Sequence, residues 1–260
     1  MSKKKLGLAL GAGGTRGIAH IGFLQVLNDN GISISCISGS SMGAVVGGIY
    51  SLGYSPEVLA ERSKTLKLKE LLEFDFFFFK KMGIIKGTKT ENVLNEYLID
   101  KNFSDCIIPF SCTAVDLITG EKLVIKSGPL CKAVMASSAI PSVFEPVNID
   151  GRTLVDGGLL TRLPIDAAKD LGADIVVAVD VLGDNITKIA PKNIFSTLIR
   201  TIDIMDLELT KYSLYKADLV VTIEQPEVDK FVVKNLDKSI EAGKQAALKA
   251  LPYIKKLIGE

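Results

Sequence analysis

Short apolar runs alternate along this chain with longer stretches whose apolar residues recur every three or four positions, as strands alternating with helices would. Leu6 to Leu10 reads as a strand and Gly17 to Asn28 as a helix ended by Asn30-Gly31. Ile32 to Ser38 reads as a second strand and Met42 to Leu52 as a second helix. Parallel neighbours need a crossover helix between them. This βαβα opening therefore predicts an α/β fold of three layers, α/β/α, around a mostly parallel central sheet. In such folds ligands sit beyond the carboxyl ends of the strands.

Further along, Ser55 to Asp100 reads as helical, with Ser55-Pro56-Glu57 a helix start and Thr90 a cap before Glu91 to Leu98. Ile107 to Leu117 and Lys122 to Lys126 look like strands joined through Thr119-Gly120, and Pro129 to Ser138 like a helix. Asp150-Gly151, between Val147 to Ile149 and Thr153 to Val155, is a two-residue hairpin signal. Pro164 to Leu171 should be a helix closed by Gly172, Asp174 to Val181 a buried strand, and residues 182 to 192 a loop. Ile194, Leu198, Ile202, Met205, Leu209 and Tyr212 mark Asn193 to Lys216 as one long amphipathic helix, its stripe expected in the core or at a dimer contact. Leu219 to Ile223 reads as the last strand. Asp237 to Ile258 reads as a terminal helix kinked at Pro252, with Lys244, Lys249, Lys255 and Lys256 on a solvated face. Neither a repeat nor a shift in composition divides residues 1 to 260, so a single domain is expected.

The chemistry gathers where strands end. Gly39-Ser40-Ser41-Met42-Gly43 is a GxSxG pentapeptide between an apolar strand and an apolar helix, the setting of a nucleophile elbow that presents Ser41 Oγ at the sheet edge. A Ser-Asp-His triad of that order needs a histidine after the acid, yet the chain's one histidine, His20, precedes the serine. Either Ser41 is inert or another group accepts its proton: His20, one turn past Arg16 and otherwise a packed helix histidine, or a carboxylate. Asp156, followed by Gly157-Gly158, and Asp180, at the end of its strand, are the two carboxylate candidates. A carboxylate titrating near 4 is a weak base toward a hydroxyl, so more of the catalysis would fall on stabilising the oxyanion.

Gly11-Ala12-Gly13-Gly14-Thr15-Arg16-Gly17 follows the first strand and opens a helix. Arg16 stands where a dinucleotide fingerprint needs its third glycine, the second strand ends without a carboxylate, and no Gly-Lys-Ser/Thr is present. The remaining readings are a tight turn or an oxyanion hole built from glycine amides, with Arg16 bracing the loop.

The glycine loop with Arg-Gly, the Ile-Ala-His-Ile-Gly stretch from Ile18, GxSxG and Asp-Gly-Gly occur here in one order, and in that respect the chain resembles the patatin-like phospholipases. Weaker similarity at Gly83-Ile84-Ile85-Lys86-Gly87 and Ala136-Ser137-Ser138-Ala139-Ile140-Pro141 extends the likeness over about residues 6 to 180. The resemblance implies a serine lipid acyl hydrolase with Ser41 as nucleophile and Asp156 as base. It further implies an oxyanion hole at Gly13 and Gly14, with Arg16 and Met42 counted beside them. Gly11, Gly17, Gly39, Gly43, Gly157 and Gly158 would support the motifs, and Ala12 departs from a glycine common in the family. Acyl transfer to an alcohol or thiol through the same pair, or lipid binding with little catalysis, are the alternatives.

Composition narrows the setting. With 31 basic and 30 acidic residues the chain lacks the charge excess of nucleic-acid binding proteins. Its four cysteines show no metal-ligand spacing and read as reduced core thiols of a cytoplasmic protein needing neither metal nor cofactor. The N-terminal lysines and Leu-Gly-Leu-Ala-Leu read as a first strand and not as a signal peptide. No apolar run spans a bilayer, so membrane contact should be peripheral. Phe76, Phe77, Phe78 and Phe79 cannot all face inward from one strand or helix, and they read either as a lid or patch touching acyl chains or a membrane surface or as a small satellite core.

Overall fold

The computed structural model describes residues 4–65, 94, 96–141, 143–183, 191, 193–225 and 236–260. The Thr90 cap, the Gly83 to Gly87 stretch, the four phenylalanines and most of the 182 to 192 loop lie outside them. Among the described residues eight strands form one sheet: β1 (Leu6–Leu10), β2 (Cys36–Gly39), β3 (Phe110–Asp116), β4 (Lys122–Ile125), β5 (Val147–Ile149), β6 (Arg152–Asp156), β7 (Ile175–Asp180) and β8 (Leu219–Thr222). Their order is β5-β6-β3-β2-β1-β7-β8, with β4 also paired to β3. Neighbours from β3 through β2, β1 and β7 to β8 are parallel, whereas β4, β5 and β6 join antiparallel.

The helices are α1 (Ala19–Asp29), α2 (Met42–Ser51), α3 (Pro56–Thr65), α4 (Leu130–Ser137), α5 (Ile165–Asp170), α6 (Ile194–Lys211) and α7 (Leu236–Ile258). Strand alternation divides them between the faces of the sheet. Leu6, Leu8 and Leu10 of β1 and Ile175, Val177 and Val179 of β7 join the large core shared with α1, α2 and α7. Ala9, Val176 and Ala178 point the other way, toward Ile165 and Ala168 of α5. Small residues let that second layer approach closely, since a Cβ at Gly7 would stand 2.5 Å from that of Ala173. On the large-core face α1 and α7 are closer still: a Cβ on Gly22 would overlap the Ile240 carbonyl, and one on Gly243 that of Ala19.

β3 brings the two catalytic candidates together. Cys112 pairs with Gly39 of β2 and with Ile125 of β4, and Val115 pairs with Val155 of β6 and with Lys122 of β4. A strand has two edges, so β2 and β6 must share the edge that β4 leaves open. β2 runs parallel to β3 and ends at Gly39, opposite Cys112. β6 runs antiparallel and ends at Asp156, opposite Ala114. The carboxyl ends of two strands thus meet head to head across about one residue of β3.

Three expectations change. β2 begins only at Cys36, because the Ile32 amide is held by the Leu27 carbonyl as the chain wraps the end of α1. α1 begins at Ala19, because Gly14–Ile18 tightens into a 3-10 turn entered at positive φ by Gly14. The core placement of the long helix's apolar stripe is the largest correction, and the dimer contact expected beside it is untouched by it. α6 ends at Lys211 and buries Ile199, Asp206 and Thr210, while Ile194, Leu198, Met205, Leu209 and Tyr212 face outward. The inward pull is ionic, since the Arg162 guanidinium lies 3.7 Å from Asp206 Oδ2. Among the described residues no helix is long and apolar enough to cross a membrane.

Candidate active site

Ser41 sits at the amino end of α2 with φ 53° and ψ −122°, a conformation that L-residues rarely adopt and that costs on the order of 1–3 kcal/mol. The surroundings hold it there. Its amide donates to Ser137 Oγ at 3.1 Å, and its carbonyl accepts from Ser138 Oγ at 3.3 Å. The turn is possible because Gly43 has no side chain: an added Cβ would overlap the Leu10 carbonyl oxygen and approach that of Gly11 to 2.8 Å. One at Gly39 would come within 2.5 Å of Ala44 Cα.

Across the gap, Ser41 Oγ donates to Asp156 Oδ2 at 2.7 Å. The other carboxylate oxygen, Oδ1, accepts the Gly158 amide at 2.7 Å, and the Asp156 amide donates to the Ala139 carbonyl at 2.9 Å. Both side chains are largely withdrawn from water, Ser41 at 5% exposure and Asp156 at 6%. Gly157 lies so close to Thr113 of β3 that a Cβ would overlap its carbonyl oxygen. That proximity sets the β6 end against β3 and aims Asp156 at the elbow.

The glycine loop forms the adjoining wall. The amides of Gly11 and Ala12 are taken by the carbonyls of Val179 and Arg162, at 3.0 and 2.9 Å. Gly13 and Gly14 line the cleft, and among the described residues nothing takes their amides or that of Met42, the first residue of α2. Gly13 abuts the Val181 side chain, and a Cβ on Gly17 would stand 2.5 Å from Met42 Cβ. Arg16 is buried in the 3-10 turn and is not among the residues lining the cleft. Its carbonyl accepts Gln225 Nε2 at 3.1 Å.

His20 is fully buried with Nε2 2.9 Å from the Gly11 carbonyl, which assigns the proton to Nε2 and makes it the donor. Burial drives its pKa down to about 4, against smaller upward pulls from that carbonyl and from Asp180. A neutral ring bonded to the loop is a brace, apart from the Ser41–Asp156 pair. The rival carboxylate, Asp180, is also engaged: Arg162 Nη2 donates to both its oxygens at 2.6 Å and to the Gly183 carbonyl at 2.8 Å.

Ala12, Gly158, Leu159, Leu182, Ile140, Pro141, Ile199, Ile202, Asp203 and Asp206 complete a cavity of about 50 Å³ over the serine. The α6 wall and the roles of Ser137 and Arg162 were not read from the sequence. The Ala136 to Pro141 stretch carried a signal without showing that Ser137 holds the elbow amide. Nothing in Thr161-Arg162-Leu163 marks a buried guanidinium.

Fold and pair together define a three-layer α/β/α protein with a serine on a strained elbow facing an aspartate at the end of an opposed strand. The profile of the patatin-like phospholipases matches residues 8–169. An uncharacterised NTE family protein of Mycobacterium tuberculosis is 38% identical over 182 residues, covering 70% of this chain and 50% of that protein. Patatin-like phospholipase domain-containing protein 6 of Homo sapiens is 29% identical over 184 residues, 68% of this chain and 13% of its own length. Among solved structures, VipD from Legionella pneumophila superposes with a TM-score of 0.55 at 14% identity, covering 97% of this chain and 67% of its own. The type III effector ExoU gives 0.51 at 14% identity, covering 98% and 54%. The chain belongs to the patatin-like phospholipase family, and it spans half or less of the length of these curated relatives.

Proposed function

We propose that the chain is a serine lipid acyl hydrolase working through a Ser41-Asp156 dyad. The observation that carries this reading is the 2.7 Å hydrogen bond from Ser41 Oγ to Asp156 Oδ2, made by a serine held on an elbow. Asp156 takes the hydroxyl proton as Oγ attacks the ester carbonyl, and the electron pair of the C=O bond moves onto oxygen. The amides of Gly13, Gly14 and Met42 receive that oxyanion, with the positive end of α2 behind them. Collapse of the intermediate breaks the bond to the leaving alcohol, which takes the proton back from Asp156. Water then attacks acyl-Ser41, losing its proton to Asp156, which returns it to Ser41 as the fatty acid leaves.

Because Gly158 holds Oδ1, Oδ2 is the oxygen aimed at the serine. The apolar walls from Ile140, Pro141, Leu159 and Ile199 suit an acyl ester, and family membership supports a lipid as its source. Work from the cytoplasmic side with peripheral membrane contact fits the reading. Hydrolysis of p-nitrophenyl acyl esters from short to long chains tests it. Ser41→Ala and Asp156→Asn should each lose at least about 10³-fold in kcat while folded, and a fluorophosphonate should label Ser41. Full activity in Asp156→Asn would remove the dyad. Acyl appearing only on an added alcohol, with none released to water, would replace hydrolysis by transfer.

A further inference from the structure

Helix α6 presents opposite chemistries on its two sides, in the reverse of the usual sense. Its inner side carries Asp203, Asp206 and Thr210 beside Ile199 and Ile202, and four of these five line the Ser41 cleft. The outer side carries Ile194, Leu198, Met205, Leu209 and Tyr212 at helical spacing, with exposures from 43% at Leu198 to 89% at Ile194. At 1.5 Å rise per residue this stripe runs about 27 Å. Ile204 beside it is 50% exposed, and Leu160, next to the cleft residue Leu159, is 44% exposed. Ile202, which lines the cleft, stands one turn from Leu198 and from Met205 of the stripe, so apolar surface passes along α6 from the cleft to the outside of the molecule. A side chain already matched borders the stripe: Lys211 Nζ lies 2.9 Å from Glu208 Oε2. Desolvating this face strands no lone carboxylate there.

We propose that the outer face of α6 is a docking surface for a lipid bilayer, seating the mouth of the Ser41 cleft on the membrane. The inference rests on the acyl-hydrolase reading and deepens it, since it names the state in which the ester is met: packed in a bilayer. Continuity with the cleft selects this occupant. A second copy of the chain covering the stripe would also crowd the rim where the ester must enter, whereas a bilayer covers the stripe and supplies ester to that rim. A helix lying in the interfacial plane buries its apolar side about 5–10 Å deep. With 31 basic against 30 acidic residues in the chain, and Glu208 already matched, the attachment is hydrophobic and insensitive to salt.

The test is flotation with phosphatidylcholine vesicles. It uses Ser41→Ala protein, so that lipid is not consumed, beside the same protein carrying Leu198→Ser, Met205→Ser and Leu209→Ser. The parent should float at low and high salt. The triple substitution should lower its partition coefficient by about tenfold or more. With Ser41 restored, the triple variant should keep its Tm and hydrolyse a soluble short-chain ester within about twofold of wild type. A triple variant that floats like its parent overturns the proposal, as does a parent that never floats. A dimer dissolved by the three substitutions would assign the stripe to a second copy, and a lowered Tm would assign it to packing within the chain. Ester hydrolysis without flotation sinks the docking surface and spares the hydrolase; flotation without any ester hydrolysis does the reverse.

Discussion

Two walls face each other across the Ser41 cleft and are built on opposite principles. The elbow wall, from Gly39 to Ala44 with the loop from Gly11 to Gly14, is backbone against backbone: Leu10 and Gly11 carbonyls stand where a Gly43 side chain would be. The opposite wall is α6, held by side chains, with Arg162 reaching Asp206 at 3.7 Å and apolar residues turned out to solvent. The first wall has almost no room to adjust and can hold a strained serine. The second has an outer surface that substitution can change without touching the serine. Rigidity belongs where the proton moves, and adaptability where the lipid arrives.

The sharpest way to break this contrast is to place one new methyl group in each wall, added at Gly43 and exchanged for a hydroxyl at Thr201. Gly43→Ala forces a Cβ into the carbonyls at the end of a central strand, where nothing flexible can yield, and should cost about 3 kcal/mol or more. For a chain of this size that is a fall in Tm of several degrees, on a scale of about 2–4 °C per kcal/mol. Thr201→Val on the exposed side of α6 should stay within about 0.5 kcal/mol. Equal Tm values for the two variants, read by calorimetry, would show that the elbow is not the rigid wall.

A second prediction uses His20, the brace behind the glycine loop. Burial holds its folded pKa at about 4, against a reference of about 6.5. Between those values the unfolded chain binds a proton that the folded chain refuses, so stability falls as pH drops from about 6.5 to about 4. The shift corresponds to about 3 kcal/mol, fully lost below pH 4 and fully present above 6.5. His20→Gln, which keeps a donor for the Gly11 carbonyl, should flatten that slope in urea titrations across the window. An unchanged slope would mean that other groups set the acid limb.

How far the sequence could foretell these walls follows from what makes them. The elbow and loop are written in glycines at strand ends, and backbone geometry is local, so Gly11 to Gly17 and Gly39 to Gly43 were readable. Ser41 and Asp156 lie 115 residues apart, and nothing local shows that they meet. Their meeting depends on β2 and β6 sharing one edge of β3, which pairing alone reveals. The strand-helix alternation foretold the parallel half of the sheet and Asp150-Gly151 the β5-β6 hairpin, whereas no local signal carries the pairing of β6 with β3. For α6 the period holds and the core placement does not, while an exposed stripe is still compatible with a contact between copies. Periodicity says that one side of a helix is apolar, and a buried arginine elsewhere decided which side faces in.

Ser137 gives the smallest and most discriminating test of the rigid wall, because it touches the elbow through one hydrogen bond and is itself fully buried on α4. Ser137→Ala removes the acceptor of the Ser41 amide without adding any atom. A buried N–H left unpaired costs about 1–3 kcal/mol, so a modest loss of stability is expected. If that bond also fixes the angle at which Oγ is offered, kcat on a short-chain ester should fall by about tenfold while KM stays near wild type, since the bond lies behind the serine and away from the acyl chain. A stability loss with kcat intact would mean that Gly39 and Gly43 alone hold the elbow, and that the α4 contact belongs to packing.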